Sequence, residues 1–197
     1  MRRILSISMF FFMISTLFWT SAWAKNWAID TNHSTVQFGV THIFSTVFGT
    51  FSDVEAEIRF DPDHPDQGSF DFTVRVKSVN TGNGKRDNHL RSKDFFDAGA
   101  YPDMRFQSSK IVHKGGDNYV VTGEMTLKDA SKTMEIPFVF HGTAPSPFNK
   151  KQLIAGFDTE FTLDRLAFGV GTGKFYKMGV VGKDVRVTIS VEAIGDL

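Results

Sequence analysis

The chain predicts a single antiparallel all-β domain, and three observations carry that prediction. Four segments alternate apolar and polar side chains with a period of two, turn chemistry lies between them, and no internal repeat, low-complexity tract or interdomain linker divides the chain. A length of 197 residues suits one domain with a substantial core.

The elements follow in order. Arg2 and Arg3 precede an apolar run from Ile4 to Trp19, and Ala22, Trp23 and Ala24 then form a small-x-small cleavage site before Lys25. This is the pattern of a secretory signal peptide over residues 1–24, cleaved after Ala24. The run is shorter than the roughly twenty residues a membrane span needs, and without the rest of a twin-arginine motif general secretion is the route. Residues 35–42 form a weaker strand, with Val36, Phe38, Val40 and His42 on one face. Val54, Ala56, Ile58 and Phe60 then alternate with Asp53, Glu55, Glu57 and Arg59, a strand with one dry and one wet face. Residues 61–68, DPDHPDQG, make a turn because Pro fixes φ and Gly admits positive φ. Phe70, Phe72, Val74 and Val76 alternate again.

Residues 86–102, RDNHLRSKDFFDAGAYP, break the pattern. Their first half predicts a short helix or helical turn, and Phe95, Phe96 and Tyr101 before Pro102 an aromatic cap, so that the segment reads as a lid. Weaker strands follow over residues 103–113 and 119–127, joined by KGGD at 114–117. Met134, Ile136, Phe138 and Phe140 share a dry face, residues 142–151 with Pro145 and Pro147 predict a longer loop, and residues 153–163 a further strand. Val185, Val187, Ile189, Val191 and Ala193 close the chain. About eight strands can stack as a sandwich or close into a barrel. The barrel is favoured, since eight strands enclose space that phenylalanines fill as a core or line as a cavity for one small ligand.

Composition removes several function classes. The first 24 residues hold two of the 22 basic residues and none of the 22 acidic ones, so the remainder carries 20 against 22, formally −2. That is not the balance of a nucleic-acid binder. The absence of cysteine excludes a disulfide framework, a c-type haem attachment site and a lipidated N-terminal cysteine. Stability therefore rests on burial, and 17 of the 21 phenylalanines lie beyond residue 24.

In a ligand sleeve the inward apolar set is Phe38, Val40, Phe48, Phe51, Phe95, Phe96, Met104, Phe106, Met125, Phe138, Phe140, Phe157 and Phe161. The pattern alone leaves open whether these line a cavity or pack as a dry core. His42, at the end of an apolar stripe, either donates to a ligand carbonyl or phosphate oxygen or is satisfied by a backbone carbonyl. Arg86, His89 and Arg91 are candidates to clamp an anionic or carbonyl head group, while Asp87 is assigned to pair with an arginine and fix the loop. Catalysis is the secondary reading, a secreted enzyme on an amphiphilic ester or amide with His89 or His42 as general base. His89, Ser92 and Asp94 are close in sequence, but that is not triad geometry, and no GxSxG elbow occurs. The six histidines show no HxH or HExxH spacing, and His33 and His42 would fall on opposite faces of one continuous strand, so no metal site is expected.

The segments WAIDTNHSTVQFGVTH, FGTF, VNTGNGKRDNHLRSKDFFDAGAYPDMRF and VGKDVRVTISVEA resemble the YceI family of secreted, lipocalin-like bacterial proteins, over residues 27–193. The RDNHLRSKDFFD block is the most specific of them. The resemblance implies an eight-stranded antiparallel lipocalin-like β-barrel over residues 25–197, with a short helical lid segment and a lumen holding a polyisoprenoid or isoprenoid quinone. It further implies a periplasmic carrier that needs no cofactor, with a membrane cytochrome b561-like protein as partner and a homodimer as an open state. Two positions depart from the family pattern. Asp129 stands in a turn where glycine is common, and RLAFG from Arg165 lacks an acidic or amide residue, which removes a polar group near one strand end.

Overall fold

The computed structural model describes residues 24–197, so the expected signal peptide, but for Ala24, lies outside the described residues. Eleven strands form one antiparallel sheet: β1 (Asn26–Ile29), β2 (Thr35–His42), β3 (Ser45–Phe51), β4 (Val54–Arg59), β5 (Ser69–Arg75), β6 (Val79–Asn80), β7 (Asp103–Gly115), β8 (Asn118–Leu127), β9 (Ala130–Pro145), β10 (Gln152–Asp164) and β11 (Val181–Asp196). Two helices accompany them, α1 (Gly84–Arg91) and α2 (Lys174–Lys177).

The eleven strands reduce to eight staves of a closed barrel. β1 and β2 both pair with β11, through Ala28↔Ile194 and Val36↔Ile189, and so form one interrupted stave. β3 pairs with β2 and β4 with β1, which makes β3 and β4 the second stave. β5 pairs with β4 and β6 with β3, giving the third. β7 to β11 are unbroken, and each pairs with the next. The ring closes where β11 meets the first stave, so no lateral edge is left exposed.

Each break has a local cause. Between β1 and β2 the Asp30 carboxylate accepts from Asn32 N–H at 2.9 Å and lies 2.8 Å from His33 Nδ1, a side-chain turn that pulls the chain out of register. That carboxylate also holds the His33 imidazole pKa above its ordinary value. His33 thus sits in a turn and not on the strand that carries His42. Between β5 and β6 a short 3₁₀ turn, Val76–Ser78, is held by Ser78 Oγ donating to Arg75 O at 2.7 Å.

β1, β3 and β6 are absent from the alternation-based reading, and residues 142–145 extend β9 where a loop is expected. Ala144 and Pro145 pair with Ile154 and Leu153 there, and proline is tolerated at a strand end because no ladder donor is needed.

One end of the barrel is packed shut. Phe60 is fully buried, its ring within 6 Å of those of Phe70, Tyr119, Phe138, Phe140 and Phe157, mostly edge to face. Trp27 Nε1 donates to Phe60 O at 3.0 Å and ties the first stave to this floor. α1 and the segment after it, between β6 and β7, lie at the opposite end.

Candidate functional site

Strand parity decides which side chains reach the lumen. On β2 it is Val36, Phe38, Val40 and His42; on β11, Val185, Val187, Ile189 and Val191. These walls enclose a cavity of about 620 Å³, within the range of small-molecule sites and far larger than the voids of a packed interior. Its floor is the face of Phe70, Phe138 and Phe157, behind which Phe60 lies. At the other end Thr81, Asn83, Lys85, Arg86 and His89 come from the lid and His42 from β2, while Gln37, Arg105, Asp158 and Thr159 border the cavity from the strands.

The lid is built by local hydrogen bonds. Asn83 caps α1, its side chain accepting from Arg86 N–H at 3.1 Å. Thr81 is the node beneath: Arg86 Nε donates to Thr81 Oγ1 at 2.7 Å, the hydroxyl donates to buried Asp87 Oδ1, and Thr81 N–H donates to the same oxygen at 2.9 Å. Asp87 thus fixes the loop as expected, but through Thr81 and not through an arginine. From the other side Lys128, in the β8–β9 turn with φ 55°, donates to Phe95 O at 3.1 Å and Gly169 O at 2.9 Å. At the departure from the family pattern the left-handed residue is therefore Lys128, not Asp129.

All but three of the anticipated site residues line the cavity. Phe38, Val40, His42, Phe51, Arg86, His89, Phe95, Phe96, Met104, Phe106, Met125, Phe138, Phe157 and Phe161 do so. Phe48 does not: Val47 and Phe51 point inward on β3, and Phe48, three residues from Phe51, has the opposite parity and is 55% exposed. Phe140 packs behind the floor, against Phe60 and Phe157. Arg91 turns away from the mouth, its Nε donating to Lys77 O at 2.9 Å and Nη2 to Val79 O at 2.6 Å, and so anchors the lid.

Phe95 is buried and stacked on Phe175 with ring centroids 5.9 Å apart, and the His89 ring meets Phe95 edge-on at 5.0 Å. Phe96 meets Phe51 at 5.9 Å. His89 Nε2 lies 2.9 Å from Asp94 Oδ2, but Ser92 Oγ donates to His89 O at 2.7 Å, away from the imidazole. These three residues do not assemble as nucleophile, base and orienter.

Several lining residues escaped the sequence reading of the lumen, among them Phe70 and Phe72 on β5, Val121 on β8, Ile136 on β9, the β11 valines and Arg165. The strand residues carried a clear signal, the alternating stretches, but were not assigned to the lumen. Arg165 entered only as the start of the RLAFG stretch, with no lumen role. It is only 5% exposed and donates Nε to Gly182 O at 2.8 Å, Nη1 to Val170 O at 2.8 Å and Nη2 to Val181 O at 3.2 Å. Burial pushes its pKa down from the ordinary value, yet a guanidinium stays protonated. A cation that forms no ion pair among the described residues thus borders the lid end of the lumen, 5.8 Å from the Phe95 ring. On the outer wall Asp30, His33 and Glu192 converge, the one such grouping of possible metal-ligating side chains among the described residues. Its members are 162 positions apart at the extremes (Asp30 to Glu192), which motif spacing does not reveal.

A closed eight-stave barrel with a blind apolar lumen and a polar, lidded mouth defines a class, the single-ligand β-barrel sleeves. Within that class the YceI-like domain matches residues 27–193, and the chain belongs to the YceI-like family. It is 32% identical to protein YceI of Escherichia coli O17:K52:H18 over 177 residues, 88% of this chain and 89% of that protein. It is similar to the crystal structure of Burkholderia cenocepacia BcnA, with a TM-score of 0.77, 29% identity, and 83% of this chain and 98% of that chain covered. A polyisoprenoid binding domain from Saccharophagus degradans shares the fold at a TM-score of 0.64 and 10% identity, covering 87% of this chain and 99% of that one.

Proposed function

We propose that this protein is a periplasmic carrier that holds a long-chain amphiphile, a polyisoprenoid or an isoprenoid quinone, with its tail in the lumen and its head group at the lid, and that it performs no catalysis. The observation that carries this reading is one predominantly apolar cavity with a phenylalanine floor and a cluster of polar and cationic side chains, Thr81, Asn83, Lys85, Arg86, His89 and His42, at its lid end. A polyisoprenoid binding domain with this fold supports the ligand class. The signal-peptide pattern supports export.

Energetics suit a carrier. Burying an isoprenoid tail from water is worth roughly 4 kcal/mol per five-carbon unit at about 0.8 kcal/mol per carbon. Eight units would then exceed the observed ceiling of about 18–21 kcal/mol. The real donor is a bilayer, already apolar, so transfer is near balanced and the head group decides selectivity. Arg165 and the free Nη1 of Arg86 supply positive potential where a phosphate or carbonyl oxygen would sit.

Protein purified natively should release an isoprenoid lipid into organic solvent, identified by mass spectrometry. Repeated recovery of an empty barrel would overturn the reading. Phe161→Asp, which puts a carboxylate on the lumen wall, should abolish lipid retention, whereas Arg186→Glu on the outer face of β11 should retain it. Equal retention in both would exclude the lumen as the binding site.

A further inference from the structure

The mouth of the barrel is bordered by apolar side chains that no described residue covers. Ile43 and Phe44 form the tip of the β2–β3 hairpin and are 51% and 101% exposed; Tyr176 and Met178, on and just after α2, are 45% and 62% exposed. The two sets share one rim, because Ile43 N–H donates to Val180 O at 3.0 Å and Val180 N–H to Phe175 O at 2.9 Å. His42, Phe175 and Val180 line the lumen, so the outer patch runs into the inner wall.

Two further observations say what this rim meets. The two-residue hairpin tip has positive φ at its first position alone, where glycine is the favoured residue, yet Ile43, a β-branched residue, holds φ at 55° there. A chain selected for stability alone would not place isoleucine and phenylalanine there, strained and in water. Cationic side chains also lie beside the patch. Lys174 and Lys177 on α2 and Lys85 on α1 are exposed, and none takes part in an ion pair among the described residues. The nearby acids have partners of their own: Asp87 is bonded to Thr81, Asp94 to His89 and Asp184 to Lys183. Apolar side chains flanked by free lysines are the pattern of an interfacial membrane contact.

From this geometry we propose that the lid end docks on anionic phospholipid bilayer, Ile43, Phe44, Tyr176 and Met178 entering the interface while Lys85, Lys174 and Lys177 meet the headgroups. The proposal deepens the carrier reading and rests on it: docking sets the mouth against the bilayer, so that an amphiphile passes between two apolar phases.

The test uses the mature chain in flotation with vesicles of phosphatidylcholine alone and of phosphatidylcholine with a quarter phosphatidylglycerol. Binding to the anionic vesicles is expected, weakened by added salt. Ile43→Gly combined with Phe44→Asn puts glycine at the positive-φ position and a turn residue after it, so this variant should fold at least as stably as the parent while losing vesicle affinity at least tenfold. Lys174→Glu with Lys177→Glu should remove the preference for anionic vesicles. No flotation of the parent chain, or unchanged flotation of the hairpin variant, overturns the proposal. So does a concentration-dependent dimer that the hairpin variant abolishes in place of flotation, which would assign the patch to a second copy. The carrier reading fails separately. A chain that floats yet never carries lipid refutes the reading, while one that carries lipid without floating refutes only the docking.

Discussion

Arg165 shows how a single side chain can organise a site that alternation does not reveal. Its fork spans three backbone carbonyls, on Val170, Val181 and Gly182, and so joins the segment after β10 to the start of β11. Lysine offers donors from one point and cannot span them. Arg165→Lys should therefore cost on the order of 3 kcal/mol, the scale for a buried charged group that loses fixed partners. Thermal denaturation would register this as a fall of roughly 6–12 °C at about 2–4 °C per kcal/mol. A change of a degree or less would mean that the carbonyls find other donors. Residue-scale errors in the sequence reading have the same origin as the Arg165 omission. Phe48 and Phe51 both look like lumen residues in FGTF, yet three residues apart on one strand they take opposite faces, and pairing with β2 sets Phe48 opposite Gly39 and Phe51 opposite Val36.

At the scale of elements, strands with one wet face were legible, and β2 runs over the predicted residues. β3 was not, because it is apolar on both faces, Val47 and Phe51 inside and Phe48 outside, so the period of two disappears. The lid was legible from its composition alone, and α1 begins two residues before the stretch that announced it. Its support was hidden in an ordinary-looking turn, TGNG, whose Thr81 links Arg86 to Asp87. Thr81→Val keeps the shape and removes the hydroxyl. Amide hydrogen exchange over residues 84–101 should then accelerate while β8 to β11 stay protected. Uniform acceleration across the barrel would mean that the lid does not open as a separate unit.

For the whole molecule, closure through the β11 pairings was not decidable from strand count, since eight staves also stack as sandwiches; the resemblance and then the register settled it. The aromatic floor is the main single packing unit. Phe60→Ala removes its centre and should cost about 3–5 kcal/mol, the usual range for a buried phenylalanine. Chemical denaturation would show this as a lower midpoint with little change in slope. An effect below about 1 kcal/mol would mean that the surrounding rings collapse into the gap.

That floor also gives the barrel a length scale. A tube open at both ends would accept any chain and let the excess emerge, but this one stops at Phe70, Phe138 and Phe157. Under the proposed carrier function a tail would enter end first and come to rest against those rings, so each carbon beyond the lumen's depth would push the head group outward past Arg165 and Arg86 by one step. Such a carrier would measure its ligand, with the phenylalanines as the zero mark and the two guanidinium groups as the gauge.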